Sequence, residues 1–182
     1  MNFAPLPIEG LYEVIAQRRG DSRGWLMRLN CADSYAHESL NTTWTQINQT
    51  YTATCGTLRG MHFQRPPHAE VKLVRCIRGK VWDVAVDLRA GSPSYGRWVG
   101  LELSAERSNA LYIPEGFAHG FQSLSHDVEM MYLHSTDYAP AAEGGVHYAC
   151  PDLAIDWPLE IKLVSDRDAA LPFLPELEPL AP

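Results

Sequence analysis

Short apolar runs divided by turn residues fill this chain, and no stretch keeps the 3.6-residue period of a long helix. Residues 71–78 and 80–87 are the clearest strands. Gly79 divides them, and Val81, Trp82, Val84, Ala85 and Val86 supply β-branched and aromatic bulk. Residues 98–103 place Val99, Leu101 and Leu103 on one face. Further strands are expected over 109–114, 120–124 and 128–134. Residues 1–20 read as one entering strand, split by Pro5, Pro7 and Gly10, and a turn at 21–25 leads into a short strand ending near Leu29. Residues 32–42 are polar and form a loop or one short helix. Residues 44–54 alternate, with Thr45, Ile47, Gln49 and Tyr51 on one side and Trp44, Gln46, Asn48, Thr50 and Thr52 on the other. So polar a face is either solvated or the wall of a polar pocket. Many short strands with turns between them predict an all-β sandwich or barrel in a single domain over 1–182, without internal repeats. Ser165 can cap a helical turn over 166–171, and the proline-rich, acidic tail 172–182 is expected to fray.

Composition narrows the function classes. At 182 residues and 46% apolar, the chain can build a real core. A net charge of −7 argues against non-specific nucleic-acid binding, although a few local arginines can still hold an anion. No apolar run is long enough to cross a membrane, and the first residues lack the features of a secretory signal. The cysteines at 31, 55, 76 and 150 are widely spaced, without a C-x-x-C pair, which suits reduced thiols in a cytoplasmic protein.

The candidate chemistry gathers around the run Leu58-Arg59-Gly60-Met61-His62-Phe63-Gln64. In a strand, Leu58, Gly60, His62 and Gln64 share a face, and Gly60 lets another chain or a ligand approach. His62 is placed either to exchange protons near neutral pH or to serve as a satisfied core histidine. The segment 114–120 has the spacing P-x-G-x-x-H, which sets His119 after a tight turn and resembles the second motif of the cupin barrels. A metal reading would use His62, His68 and His119, with Glu70 nearby, but their offsets do not bring two histidines and a carboxylate to one strand face. Tyr132 and Tyr138 flank a strand end, where a phenol can donate a proton to a carbanion, or where both can be rim aromatics. Asp168, within 163–168, can fix the tautomer of a histidine or lie in a solvated acidic turn.

Taken together, these runs resemble the dTDP-4-dehydrorhamnose 3,5-epimerases. The likeness covers residues 58–64, 67–68, 72–75, 83–87, 91–93, 98–100 and 114–120, then Tyr132, 138–140, 155–158 and 165–168, in the family's order. The resemblance implies a cupin-type jelly roll, a homodimer and no metal or other cofactor. It implies a nucleotide-linked 4-keto-6-deoxyhexose as substrate, in deoxysugar synthesis for a polysaccharide or a glycosylated natural product. By matching position, His62 corresponds to the general base, Asp168 to its partner, Tyr132 to the acid on the opposite sugar face and Lys72 to the cation near the developing enolate. Arg23 and Arg59 correspond to diphosphate binders, Gln46 and Asn48 to hexose contacts, His119 to an active-site histidine and Tyr138 to a pocket aromatic.

The residue types suit that chemistry independently: removing a proton beside a ketone needs a base, a charge at the oxygen and an acid on the far face. The chain departs from the family pattern at Leu26, Arg28 and Ile47, where contacts to the nucleotide and a partner subunit are expected. Three other readings stand beside this one. They are a metal-dependent cupin isomerase or oxygenase, a non-catalytic sugar-nucleotide binding module, and a ketoisomerase moving the carbonyl between C3 and C4.

Overall fold

A computed structural model describes residues 1–181. In chain order the strands are β1 (Asn2–Pro5), β2 (Tyr12–Ile15), β3 (Arg18–Asp21) and β4 (Gly24–Met27), followed by helix α1 (Ala32–His37). Then come β5 (Gln46–Thr52), β6 (Leu58–Gln64), β7 (Lys72–Arg78), β8 (Lys80–Asp87), β9 (Trp98–Ser104), β10 (Asn109–Ile113), β11 (Phe117–Ser123), β12 (Val128–His134) and β13 (Glu143–Gly145). Helix α2 (Asp166–Ala169) and one 3₁₀ turn (Leu174–Glu176) complete the described elements.

Two antiparallel sheets face each other, one of six strands in the order β1-β2-β10-β7-β12-β5 and one of five in the order β13-β6-β11-β8-β9. This is a cupin-like jelly roll. Alternation on the strands feeds three apolar layers. Val74, Cys76, Ala85, Leu103, Leu111, Phe121 and Met130 pack between the sheets. Val84, Val86, Met61 and Phe63 point the other way, under Val146, Cys150 and Leu153 from the later chain. Val14, Leu73, Tyr112 and Leu133 meet Tyr35 of α1 on the outer face of the six-stranded sheet. Strands such as β8 are therefore buried on both faces, which is why they read as continuous apolar runs rather than strict alternation.

The structure differs from the sequence reading in several places. Residues 1–20 hold β1, β2 and most of β3 rather than one strand, and the chain reverses between β1 and β2 at Gly10, which adopts φ +92°. Strand β11 starts at Phe117, ahead of the expected residue 120. Strand β13 has no β-branched signal; it forms because Gly144 and Gly145 admit a neighbour, and a Cβ on Gly145 would lie 2.5 Å from the Met61 carbonyl oxygen. The tail is tied down, not frayed, as far as it is described. Leu180 is 1% exposed, donates its N–H to Leu88 and accepts from Ala90. Residue 182 lies outside the described residues. At 166–169 the helical turn forms as expected, with the Ser165 hydroxyl accepting from the Asp168 N–H.

Candidate active site

A cavity of about 660 Å³ opens at one end of the sandwich, a size suited to a small organic ligand. The six-stranded sheet contributes Gln46, Asn48 and Thr50 from β5, Lys72 from β7, and Tyr132 and His134 from β12. The five-stranded sheet contributes Arg59, His62 and Gln64 from β6 and His119 from β11, and Asp168 closes the wall from α2. The unusually polar face of β5 is thus a pocket wall and not a solvated surface.

His62 is held by an element distant in sequence. Its Nε2 lies 2.7 Å from Asp168 Oδ1, while Oδ2 accepts the Gly60 N–H at 3.0 Å. Gly60 makes this possible: it adopts φ +125°, and a Cβ there would lie 2.5 Å from the Gly120 Cα of β11. Burial pushes the Asp168 carboxyl up, but the hydrogen bonds from His62, Gly60 and Ser165 outweigh it and hold the group below its ordinary range. An ionised carboxylate can only accept, so His62 Nε2 carries the proton and Nδ1 is the basic nitrogen. The ring is 30% exposed, against 6% for the carboxylate side chain, so the base can meet a ligand while its partner stays sheltered.

The opposite wall carries Tyr132. Burial, and then the neighbouring Asp83 carboxylate, push its phenol well above the usual tyrosine range and keep it protonated. Its ring meets His119 edge-on and stacks on His134, each at 6.1 Å between centroids. Beside it, Lys72 is buried, with Nζ 3.1 Å from Glu70 Oε1 and donating to the His62 carbonyl at 3.3 Å. One wall therefore offers a base, and the facing wall offers an acid and a cation.

His119 sits deeper, its Nε2 within 2.9 and 3.0 Å of the two oxygens of Asp83. At the mouth, Arg59 is exposed, tethered through Nε to the Thr52 hydroxyl. Tyr138 donates to Glu143 at 2.6 Å, and Glu143 also pairs with Arg167. Nine of the ten residues singled out from sequence line this cavity: Gln46, Asn48, Arg59, His62, Lys72, His119, Tyr132, Tyr138 and Asp168.

Arg23 does not join them. It sits at the turn of the β3–β4 hairpin, its side chain 87% exposed and paired with Asp21, so within one chain it does not reach Arg59. The residues of β3 are all exposed, Arg18 ties the base of the hairpin to the Ala105 carbonyl oxygen, and the tip with Arg23 is not part of the cavity wall.

The three histidines of the metal reading do not converge. His68 lies on an exposed loop outside the cavity wall, and among the described residues no group of three or more His, Cys, Asp or Glu is arranged to hold a metal. Sequence reasoning missed Glu70 and His134 as partners, and also Glu143 and Arg167. Glu70 stands two residues before Lys72, and His134 two residues after Tyr132 on the same strand face, which was the available signal.

Comparisons with known proteins give the relatives of the chain. The family model for dTDP-4-dehydrorhamnose 3,5-epimerase matches residues 5–176. A dTDP-4-dehydrorhamnose 3-epimerase of Streptomyces niveus is 40% identical over 168 residues, covering 92% of this chain and 81% of that one. The crystal structure of a 4-keto-6-deoxy sugar epimerase from the novobiocin biosynthetic gene cluster of Streptomyces spheroides superposes with TM-score 0.92 at 41% identity, covering 97% of this chain and 88% of that one. A dTDP-6-deoxy-D-glucose-3,5-epimerase of Legionella pneumophila, crystallised with dTDP-4-keto-L-rhamnose, gives TM-score 0.91 at 38% identity, covering 97% and 94% of the two chains.

Proposed function

The chain belongs to the dTDP-4-dehydrorhamnose 3,5-epimerase family, and we propose from this that it inverts C3, C5 or both of a dTDP-linked 4-keto-6-deoxyhexose in deoxysugar biosynthesis. The observation that carries the reading is the placement of His62 and Tyr132 on opposite sheets across one cavity, with Lys72 buried on the Tyr132 wall. His62 Nδ1 takes the proton on the carbon next to the C4 ketone. The electron pair moves onto the ketone oxygen, where the Lys72 ammonium meets the developing charge and contributes on the order of 3 kcal/mol. The Tyr132 hydroxyl returns a proton to the same carbon from the other face, and the centre is inverted. Solvent then resets both groups. Asp168 keeps His62 in the tautomer that makes Nδ1 the base.

Arg59 at the mouth is placed to take a diphosphate oxygen, with Gln46, Asn48 and His119 contacting the hexose and Tyr138 at the rim. The enzyme works as a homodimer in which the β3–β4 hairpin is covered by the second subunit. Its exposed Trp25 and Leu26, at 57% and 68%, are the apolar surface such a contact would bury, and it would bring Arg23 to a neighbouring cavity. The test is proton NMR of dTDP-4-keto-6-deoxyglucose with the enzyme in heavy water. Signal loss at C3, C5 or both is the expected result and identifies the centre handled. A folded protein that exchanges neither proton would sink the reading.

A further inference from the structure

Glu70 and His134 have no role in the scheme above, yet both stand in the wall of the same cavity. Glu70 ends the loop before β7 and bridges two cavity groups. Its Oε1 lies 3.1 Å from Lys72 Nζ and its Oε2 lies 2.7 Å from His134 Nδ1. The side chains are 9%, 9% and 14% exposed for Glu70, Lys72 and His134, so the cluster is a built feature and not a surface pairing. Lys72 and His134 are register partners on β7 and β12, which makes their side chains neighbours on the cavity face.

The protonation pattern follows from the carboxylate. Burial pushes Glu70 up, but the hydrogen bond from His134 and the charge of Lys72 together bring it below the ordinary glutamate range, so it is ionised and can only accept. His134 must then carry a proton on Nδ1, and the tautomer with that proton alone presents Nε2 as an acceptor. The Asn48 side-chain nitrogen, a donor, stands 3.5 Å from Nε2, in keeping with that polarity. Tyr132 stacks on the ring at an interplanar angle of 15° and holds its orientation. The cavity wall thus sets an obligate donor, Lys72 Nζ, beside an acceptor, His134 Nε2.

A ketone oxygen accepts, and a hydroxyl on the adjacent carbon donates. We propose that Lys72 and His134 read an α-hydroxyketone as a unit, Lys72 taking the C4 carbonyl and His134 Nε2 the C3 hydroxyl, with Glu70 as the positioning residue that fixes both. C5 carries no hydroxyl, so C3 is the neighbour that fits. The inference rests on the epimerase reading and makes His134 a specificity determinant for a free C3 hydroxyl.

Two substitutions separate a substrate contact from a structural one. In His134→Gln the amide reaches the position of Nε2, and in His134→Asn it reaches that of Nδ1 and keeps the bond to Glu70. Affinity is measured by calorimetry for dTDP-4-keto-6-deoxyglucose and its 3-deoxy analogue, which needs no turnover. Wild type and His134→Gln are expected to prefer the 3-hydroxy sugar by about 10–100-fold, and His134→Asn to lose that preference. If His134→Asn keeps the preference and His134→Gln loses it, or if wild type shows none, the proposal is overturned. Nitrogen-15 NMR of the unliganded enzyme checks the premise: the His134 proton is expected on Nδ1 at neutral pH, and a proton on Nε2 would also overturn it. A wild-type enzyme that binds with this preference but exchanges no proton would reject the epimerase reading alone.

Discussion

Two histidines lie side by side in the five-stranded sheet, each paired with a carboxylate, and the two pairs are not equivalent. His62 and His119 are register partners on β6 and β11, each with Nε2 on an aspartate. Asp168 sits at the edge of the cavity, and its carboxylate also accepts the Gly60 N–H; the hydrogen bond from His62 and then that from Gly60 hold it below its ordinary range despite burial. Asp83 is wholly buried inside the sandwich, and burial pushes its carboxyl up despite His119. The first pair combines a firmly ionised carboxylate with a reachable imidazole, as a general base requires. The second is the more deeply buried pair, whose histidine lines the cavity wall and supports Tyr132 edge-on. The chemistry of the pair does not decide its role; the number of donors on the carboxylate and the access of solvent do.

The largest test of this contrast removes the base. His62→Ala should lower the rate of deuterium entry beside the ketone by about 10²–10⁴-fold with the circular dichroism spectrum unchanged. Exchange near the wild-type rate would remove His62 from the mechanism. Next, Tyr132→Phe should slow formation of the inverted product on the order of 10²-fold while leaving a larger share of proton removal, because only the acid on the far face is lost. Equal loss of exchange and inversion would argue against a role confined to reprotonation.

A smaller effect separates the carboxylates. Asp168→Asn should lower kcat on the order of 10²-fold through the wrong His62 tautomer, and Asp83→Asn less than about 10-fold. A reversed order would mean that the deeper pair is the working one.

The finest test is thermodynamic. Asp168 has a depressed folded pKa, so its stabilising contribution is complete above the unfolded value near 3.8 and is lost as pH falls through the folded value. Asp83 has a raised folded pKa, so its cost is absent at low pH and grows as pH rises through that value. In urea unfolding followed from pH 7 down to pH 3, Asp168→Asn should flatten the acid loss of stability. Asp83→Asn should gain stability relative to wild type toward pH 7. Shifts of the same sign in both variants would contradict the contrast.

Much of this is legible in the sequence alone. The β class followed from short apolar runs broken by glycine and proline, and residues 58–64, 114–120 and 165–168 carried most of the cavity's chemistry in local motifs. Other features were not legible. Residues 143–145 contain two glycines and no strand signal, and they pair only because β6 offers an edge and a close approach. The tail looked disordered by composition, but Leu180 has an apolar seat beside Leu88 that lies about half the chain away. Arg23 was matched by its position along the chain, while in the structure it is exposed, paired with Asp21 and outside the cavity wall.

By itself the sequence determined which residue types were available and which face of each strand they occupy, because side-chain alternation is a local property of an extended backbone. It placed Gln46, Asn48 and Thr50 together, and Tyr132 with His134. Only the tertiary structure decided that the polar face of β5 is a pocket wall, that Asp168 reaches His62 across 106 positions, and that Glu70 joins Lys72 to His134. Those pairings depend on sheet order and on the desolvation of each carboxylate, and both are set by contacts between segments that sequence spacing does not encode.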